Sequence, residues 1–293
     1  MKPIKKIFII LLCLFLAAGS FCAYEIYISY HHLTVSDYTV KSDKIQNNIN
    51  IIMISDLHDH EFGEKNQELV EKIREQHPDL ILMVGDMLND ISENSHVAVD
   101  LIQQLKKVTP VYYSLGNHEE GYIKKKDESL IQKLRNAGAV VLDKEYKNIS
   151  IRGNNLTIGG MYDYAFAFDG AGHMSKKDMK PKDLKFLESF QAEDSFKIMM
   201  AHRPDSFIFG EAADTWNIDL VVSGHNHGGQ VILPGIGGLY GGDQGWFPEY
   251  VDGIHHFKAV KNMIITRGLG THKEKLPRFH NVPEIVHITL KAE

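Results

Sequence analysis

Five short polar clusters, each at the end of an apolar run, constrain this chain more than any other feature. The runs are Ile51–Ile54, Leu80–Val84, Val111–Leu115, Ile198–Met200 and Leu220–Val222. The clusters that follow are Asp56-Leu57-His58, Gly85-Asp86, Gly116-Asn117-His118-Glu119, Ala201-His202-Arg203-Pro204 and Gly224-His225-Asn226-His227-Gly228. A short, continuously apolar run closed by glycine or a polar cluster is the pattern of a strand covered on both faces. In layered α/β proteins, ligands bind beyond the carboxyl ends of such strands. The clusters are therefore expected on one rim, where they bring together Asp56, His58, Asp86, Asn117, His202, His225 and His227.

This donor set has a chemical logic. A carboxylate such as Asp86 can bridge two cations while partly cancelling their charge. Neutral imidazoles suit Zn, Fe or Mn, and carboxylate and amide oxygens suit harder ions. Asn117 adds an oxygen without adding negative charge, which keeps the rim electropositive toward a phosphate. Two ions about 3.5–4 Å apart clamp the attacking and leaving oxygens of an in-line displacement. The expected cofactor is thus a pair of divalent metals (Mn, Fe or Zn, with Mn favoured), and the expected chemistry is hydrolysis of a phosphate ester. Gly85 and Gly116 read as turn residues that expose Asp86 and Asn117.

The ordered series D-x-H, G-D, G-N-H-E, a separate His, then G-H-x-H resembles the calcineurin-like metallophosphoesterase superfamily. It covers roughly residues 50–230, with 30 residues from Asp56 to Asp86 and 31 from Asp86 to Asn117. The stretch Gly224 to Gln230, with His202-Arg203-Pro204-Asp205, is similar to the membrane-associated bacterial branch that contains UDP-diacylglucosamine pyrophosphatases and cell-envelope phosphodiesterases. The resemblance implies a four-layer α/β/β/α sandwich. It implies that Asp56, His58 and His227 bind one metal, that Asn117, His202 and His225 bind the other, and that Asp86 bridges them. It also implies that His118 faces the substrate as general acid for the leaving-group oxygen. Phosphoprotein phosphatases of the superfamily carry an Asp three residues after the bridging Asp; here that place is Asn89, with Asp90 one step further on.

The N-terminus is the second clear signal. Lys2, Lys5 and Lys6 precede Ile7 to Tyr24, eighteen residues without charge. A spanning helix needs about 20 apolar residues, whereas the core of a cleavable signal has about 7–15. An uncleaved anchor is the reading adopted; the small residues from Ala17 to Ser20 keep a removed signal as the alternative. The flanking lysines hold that end in the cytoplasm and place the rest of the chain outside. The expected organisation is a transmembrane signal-anchor over 1–24, a stalk and edge strand over 25–48, and a catalytic domain over 49–293.

Composition narrows the field further. Both cysteines, Cys13 and Cys22, lie in the apolar segment, so the domain has no disulfide partner and no thiol catalyst. A net charge of −6 gives no nucleic-acid footprint. Several of the 16 histidines, among them His31, His32, His255 and His256, lack any metal-like context and read as surface or loop residues.

Helical spacing predicts helices over 64–76, 97–108, 128–137 and 181–190. Shorter strands are expected over 140–142, 148–152, 156–160, 230–233, 256–258, 263–266 and 284–290. Gly235 to Gly253, rich in glycine and aromatics, reads as a mobile rim, with Tyr240, Trp246 and Tyr250 contacting the non-phosphate part of the substrate; long loops of this kind are usually functional or disordered. Arg203 has two readings, a brace for its loop or a ligand for a phosphate oxygen. Glu119 and Asp59 are each either partners fixing a ligand histidine or solvated charges.

Three functions compete. The first is a membrane-anchored phosphohydrolase acting on a phosphodiester or pyrophosphate of a lipid or cell-envelope molecule. The second is a phosphomonoesterase or phosphoprotein phosphatase. The third is a catalytically silent, metal-stabilised envelope-binding protein.

Overall fold

The computed structural model describes residues 3–271 and 276–293; Lys2 of the basic flank lies outside them. Two six-stranded sheets lie face to face. The first has the order Thr34–Lys41, Glu284–Lys291, Ile49–Ile54, Leu80–Val84, Val111–Ser114, Val140–Leu142. The second has the order Gly253–His255, Met263–Ile265, Leu220–Ser223, Phe196–Met200, Asn154–Gly160, Glu145–Ile151. Ile49–Ile54, Leu80–Val84, Val111–Ser114 and Val140–Leu142 run parallel, as do Asn154–Gly160, Phe196–Met200, Leu220–Ser223 and Met263–Ile265.

The continuous apolar runs follow from burial on both faces. Along a strand successive side chains alternate between faces. Ile52, Ile54, Ile81, Met83 and Tyr113 join the cluster beneath helices Gln67–Arg74, His96–Leu105 and Leu130–Ala137. Ile51, Met53, Leu80, Leu82 and Val84 point the other way and meet Ile158, Ile198, Met200, Leu220 and Val222 of the second sheet. Met199, Val221 and Met263 face a third cluster with Phe186, Leu187, Phe190 and Trp216. Helix, sheet, sheet and helix layers result.

The differences from expectation are local. A helix over Asn117–Lys125 starts inside a cluster that reads as a turn. The strand expected over 256–258 is instead Gly253–His255, paired with Met263–Ile265. The glycine-rich rim is not irregular: Ile232–Leu233 pairs with Gly237–Gly238, and Tyr240–Gly241 pairs with Gly245–Trp246.

The N-terminal segment is one helix, Pro3–His31, the single one among the described residues long and apolar enough to cross a membrane. At 1.5 Å per residue it is ~44 Å long, more than the ~30 Å hydrocarbon core of a bilayer. It does not stop at Tyr24, so the first part of the expected stalk is two further helical turns. These dock on the domain. Glu25 Oε2 lies 2.8 Å from His280 Nδ1, Asn281 N–H donates to Ser29 Oγ (3.1 Å), and Arg278 N–H donates to the Tyr30 hydroxyl (3.1 Å). The chain then enters the edge strand Thr34–Lys41.

Candidate metal centre

The strand ends converge through turns that few side chains tolerate. Asp56, His58, Asp86, His225 and His227 all have positive φ, between 46° and 70°. For a residue other than glycine this costs on the order of 1–3 kcal/mol and persists where the surroundings over-determine it. The surroundings do so here. Asp56 N–H donates to Gly85 O and His58 N–H to Asp86 O, each at 3.1 Å. His225 N–H donates to the Asp56 carboxylate (3.1 Å), and His118 N–H donates to Asp86 Oδ1 (2.9 Å). A Cβ on Gly85 would stand 2.7 Å from the backbone of Gly116 and 2.8 Å from the His202 ring, so glycine is what lets these loops meet.

Three overlapping groups of donor atoms result, with the atoms of each group within 4.8 Å of one another: Asp56, His58 and His227; Asp86, His202 and His225; His58, Asp86 and His118. Asp86 Oδ2 is 3.0 Å from His202 Nε2 and 4.0 Å from His58 Nε2. Asp56 Oδ1 is 3.8 Å from both His202 Nε2 and His227 Nε2. Asn117 Oδ1 and His225 Nε2 are buried with no hydrogen-bond partner. Such atoms are costly to bury unless something binds them, and an oxygen and nitrogen set of this kind fits a pair of divalent cations. Asp86, Asn117, His118, His225 and His227 open onto a cavity of about 270 Å³.

Several imidazoles are aimed from behind. His202 Nδ1 lies 2.7 Å from Val84 O, His227 Nδ1 lies 3.2 Å from Gly270 O, and His58 Nδ1 lies 2.9 Å from Asn89 Oδ1. Each contact holds the proton on Nδ1 and turns the Nε2 lone pair toward the centre. Asn89 is in turn held by Asp59 Oδ2, which accepts from its backbone and side-chain nitrogens at 3.1 and 2.9 Å. Asp59 therefore acts on His58 through Asn89. Glu119 does something else: buried, it accepts from the backbone N–H groups of Asp86, Met87 and Gly116 (2.8 Å each) and from the Tyr113 hydroxyl (2.6 Å).

Electrostatics suit a cation site. Burial pushes Asp56 up to about 6, with His202 pulling the other way. Burial also acts to raise Asp86, but His202, His58 and His118 outweigh it and hold that carboxyl below the usual range. Burial lowers His58 to about 3 and drives His225 and His227 well below the ordinary imidazole value. His202 is opposite in sense: Asp86 and Asp56 overcome its burial and raise it to about 9. A cation entering between Asp86 and His202 takes the place of that proton.

His118 is partnered one residue later than the resemblance leads one to expect. Asp90 N–H donates to its Nδ1 (3.2 Å), and Asp90 Oδ1 lies 3.5 Å from the same atom. Of Arg203, Tyr240, Trp246 and Tyr250, expected to contact the substrate beyond the metals, only Tyr240 lines the cavity, beside His118. Trp246 stands edge-on to Tyr240, with ring centroids 5.3 Å apart. Tyr250 instead packs on His255 and Phe257, and its carbonyl accepts from Asn226 Nδ2 (2.9 Å). Arg203 donates to the Tyr164 hydroxyl (2.9 Å), sits 3.6 Å from Asp243 and lies over the Tyr162 ring, contacts that fit a brace for its loop.

Sequence reasoning passed over Asn226, Gln230 and Asp243, which line the cavity, and Arg278 and Asn281 behind it. Arg278 donates to the carbonyls of Arg267, Gly268, Gly270 and Asn281, and Asn281 Nδ2 donates to His227 O (2.7 Å) and Gln230 O (3.0 Å). Asn226, placed between the two histidines of G-H-x-H, was the one with a local signal.

Known proteins place this geometry. The chain is 26% identical to the metallophosphoesterase YkuE of Bacillus subtilis over 287 residues, covering 94% of this chain and 92% of that protein. It is 28% identical to a metallophosphoesterase of Aquifex aeolicus (90% and 94% covered) and 27% identical to phosphodiesterase YaeI of Escherichia coli (75% of each). The model of the calcineurin-like phosphoesterase family matches residues 49–229, the span that holds all five clusters. The chain belongs to the calcineurin-like phosphoesterase family and is a metal-dependent phosphoesterase.

Proposed function

We propose that the chain is a membrane-anchored hydrolase of phosphodiester or pyrophosphate bonds, acting outside the cytoplasm on a lipid or cell-envelope substrate. The observation that carries the hydrolytic reading is the place of Asp86 Oδ2, 3.0 Å from His202 Nε2 of one set and 4.0 Å from His58 Nε2 of the other. Asp56, His58 and His227 would hold one divalent ion, Asn117, His202 and His225 the other, and Asp86 would serve both, with Mn the favoured metal. Ions bound there would polarise a phosphoryl oxygen and lower the pKa of bound water toward neutrality.

The remaining work falls to side chains. His118 Nε2 is directed to the metal side, 4.0 Å from Asp86 Oδ2, and Asp90 Oδ1 lies 3.5 Å from its Nδ1. Protonated on both nitrogens, His118 gives its Nε2 proton to the departing oxygen and is left neutral, and Asp90 positions the ring and stabilises the charged form. Tyr240, with Trp246 behind it, flanks the group beyond the phosphorus, and Arg203 holds the wall that Tyr164 and Asp243 form. The helix Pro3–His31, with Lys5 and Lys6 at its start, supports an anchor whose N-terminus stays inside. The name of the Escherichia coli relative, a phosphodiesterase, supports the choice of bond.

A phosphomonoesterase is the second reading. Asp90 favours it, because it supplies the carboxylate partner for His118 that Asn89 does not. Hydrolysis of a bis-aryl phosphate and of the mono-aryl ester by the full chain in detergent, with Mn, separates the two. The diester is expected to turn over faster, and His118→Ala to lower that rate ~10²–10⁴-fold with metal content unchanged. Preference for the monoester selects the second reading; activity on neither, with metal bound, removes both.

A further inference from the structure

We infer that the mouth of the metal centre is a bilayer-contacting surface: a collar of apolar side chains seats on the membrane that carries the anchor, so the site takes its phosphoester from an amphiphile embedded there. This rests on the anchored-enzyme reading above and adds the surface and the orientation.

Single exposed apolar residues scattered over a protein need no explanation, but their gathering in one place marks an interaction surface. Outside Pro3–His31, the exposed large hydrophobics among the described residues are Ile91 (50%), Tyr164 (36%), Phe168 (50%), Ile236 (68%), Trp246 (63%) and Phe247 (59%). All six trace back to the cavity. Ile91 follows Asp90, the partner of His118. Tyr164 donates its hydroxyl to Asp243, which lines the cavity, and ring contacts through Phe166 carry the surface on to Phe168. Trp246 stands on Tyr240 of the cavity wall, and Phe247 N–H donates to Leu239 O (2.9 Å) one residue before it. Ile236 is in the turn of the hairpin whose Gly238 touches Gly229, two residues from His227.

The docked end of the helix ties this collar to the bilayer without a free linker. Ser29 and Tyr30 hold Asn281 and Arg278. Phe279, between them, exchanges backbone hydrogen bonds with the hairpin base: Phe279 N–H donates to Gln230 O and Ile232 N–H to Phe279 O, each at 3.1 Å. The hairpins bearing Ile236, Trp246 and Phe247 therefore hang from the segment that grips the helix as it leaves the membrane. Trp, Tyr, Phe and Ile are the side chains that partition to the boundary between headgroups and acyl chains. A bilayer is the occupant because the exposed apolar length of the same helix requires one next to the domain.

The chain carries its own reporter, since Trp216 is fully buried and Trp246 is exposed. The full chain is reconstituted in phosphatidylcholine–phosphatidylglycerol vesicles whose acyl chains are brominated. Quenching of wild-type fluorescence well beyond that of Trp246→Phe is expected; equal quenching in both overturns the collar. In parallel, Ile236→Ser with Phe247→Ser is expected to lower hydrolysis of a vesicle-embedded diester several-fold and to leave a soluble bis-aryl phosphate unaffected. Equal rates on both substrates relative to wild type overturn the proposal. So does Trp246 emission that shifts with protein concentration in detergent and not with lipid, which marks contact with a second copy. Normal hydrolysis of the soluble ester with no lipid quenching removes the collar alone, whereas selective quenching with no hydrolysis by wild type keeps the collar and removes the enzymatic reading.

Discussion

Glu119 satisfies four donors at once, three of them backbone amides in the turns that expose Asp86 and Asn117. Nothing else among the described residues binds those amides, so removing the carboxylate leaves them unpaired in a dry interior. Each such loss costs roughly 1–3 kcal/mol. Glu119→Leu is expected to destabilise the domain by about 3 kcal/mol or more, read as a fall in the denaturant midpoint; a midpoint equal to wild type contradicts this role. The residue scale also shows what a sequence can and cannot disclose. Asp56, His58, Asp86, Asn117, His202, His225 and His227 stand out because the chemistry demands particular donors directly after strands. Their supports do not. The contact of Asn89 with His58 spans 31 residues, and that of Val84 O with His202 spans 118, so no local pattern encodes them. Tyr250 and Arg203 show the converse: residue types suited to substrate that pack against neighbouring side chains.

At the scale of elements, the docked end of the helix and the segment 276–283 behave as one part. Asn281 binds Ser29 through its N–H and the carbonyls of His227 and Gln230 through its side chain. Asn281→Ala is expected to loosen His227 and to weaken metal retention at the Asp56, His58 and His227 set ~10–100-fold, the usual effect of losing an orienting partner. Metal remaining after dialysis against a chelator measures this; retention equal to wild type would show that the segment supports only the fold. Elements covered on both faces, such as Leu80–Val84, were legible from composition and punctuation alone. The helix Asn117–Lys125 was not, because its first residues read as a turn and its start depends on Glu119 reaching back to Gly116 N–H. Nor was the true end of the N-terminal helix, since Glu25 and Ser29 are polar and their burial comes from partners more than 250 residues away.

At the scale of the molecule, two sheets bring parallel strand ends to one rim, so five clusters spread over more than 170 residues form one site. The family and layer order could be read from that series. The coupling of the N-terminal helix to the site could not, because it is written in 276–283, outside the matched span of 49–229. We propose that Asp86 joins two ions into one hydrolytic centre. Elemental analysis of the full chain and of Asp86→Ala, after loading with Mn and removal of free metal, tests it most directly. Two ions per chain are expected in wild type, at most one in the variant, and near-complete loss of diester turnover with the missing ion. Two ions per chain retained in Asp86→Ala would contradict it.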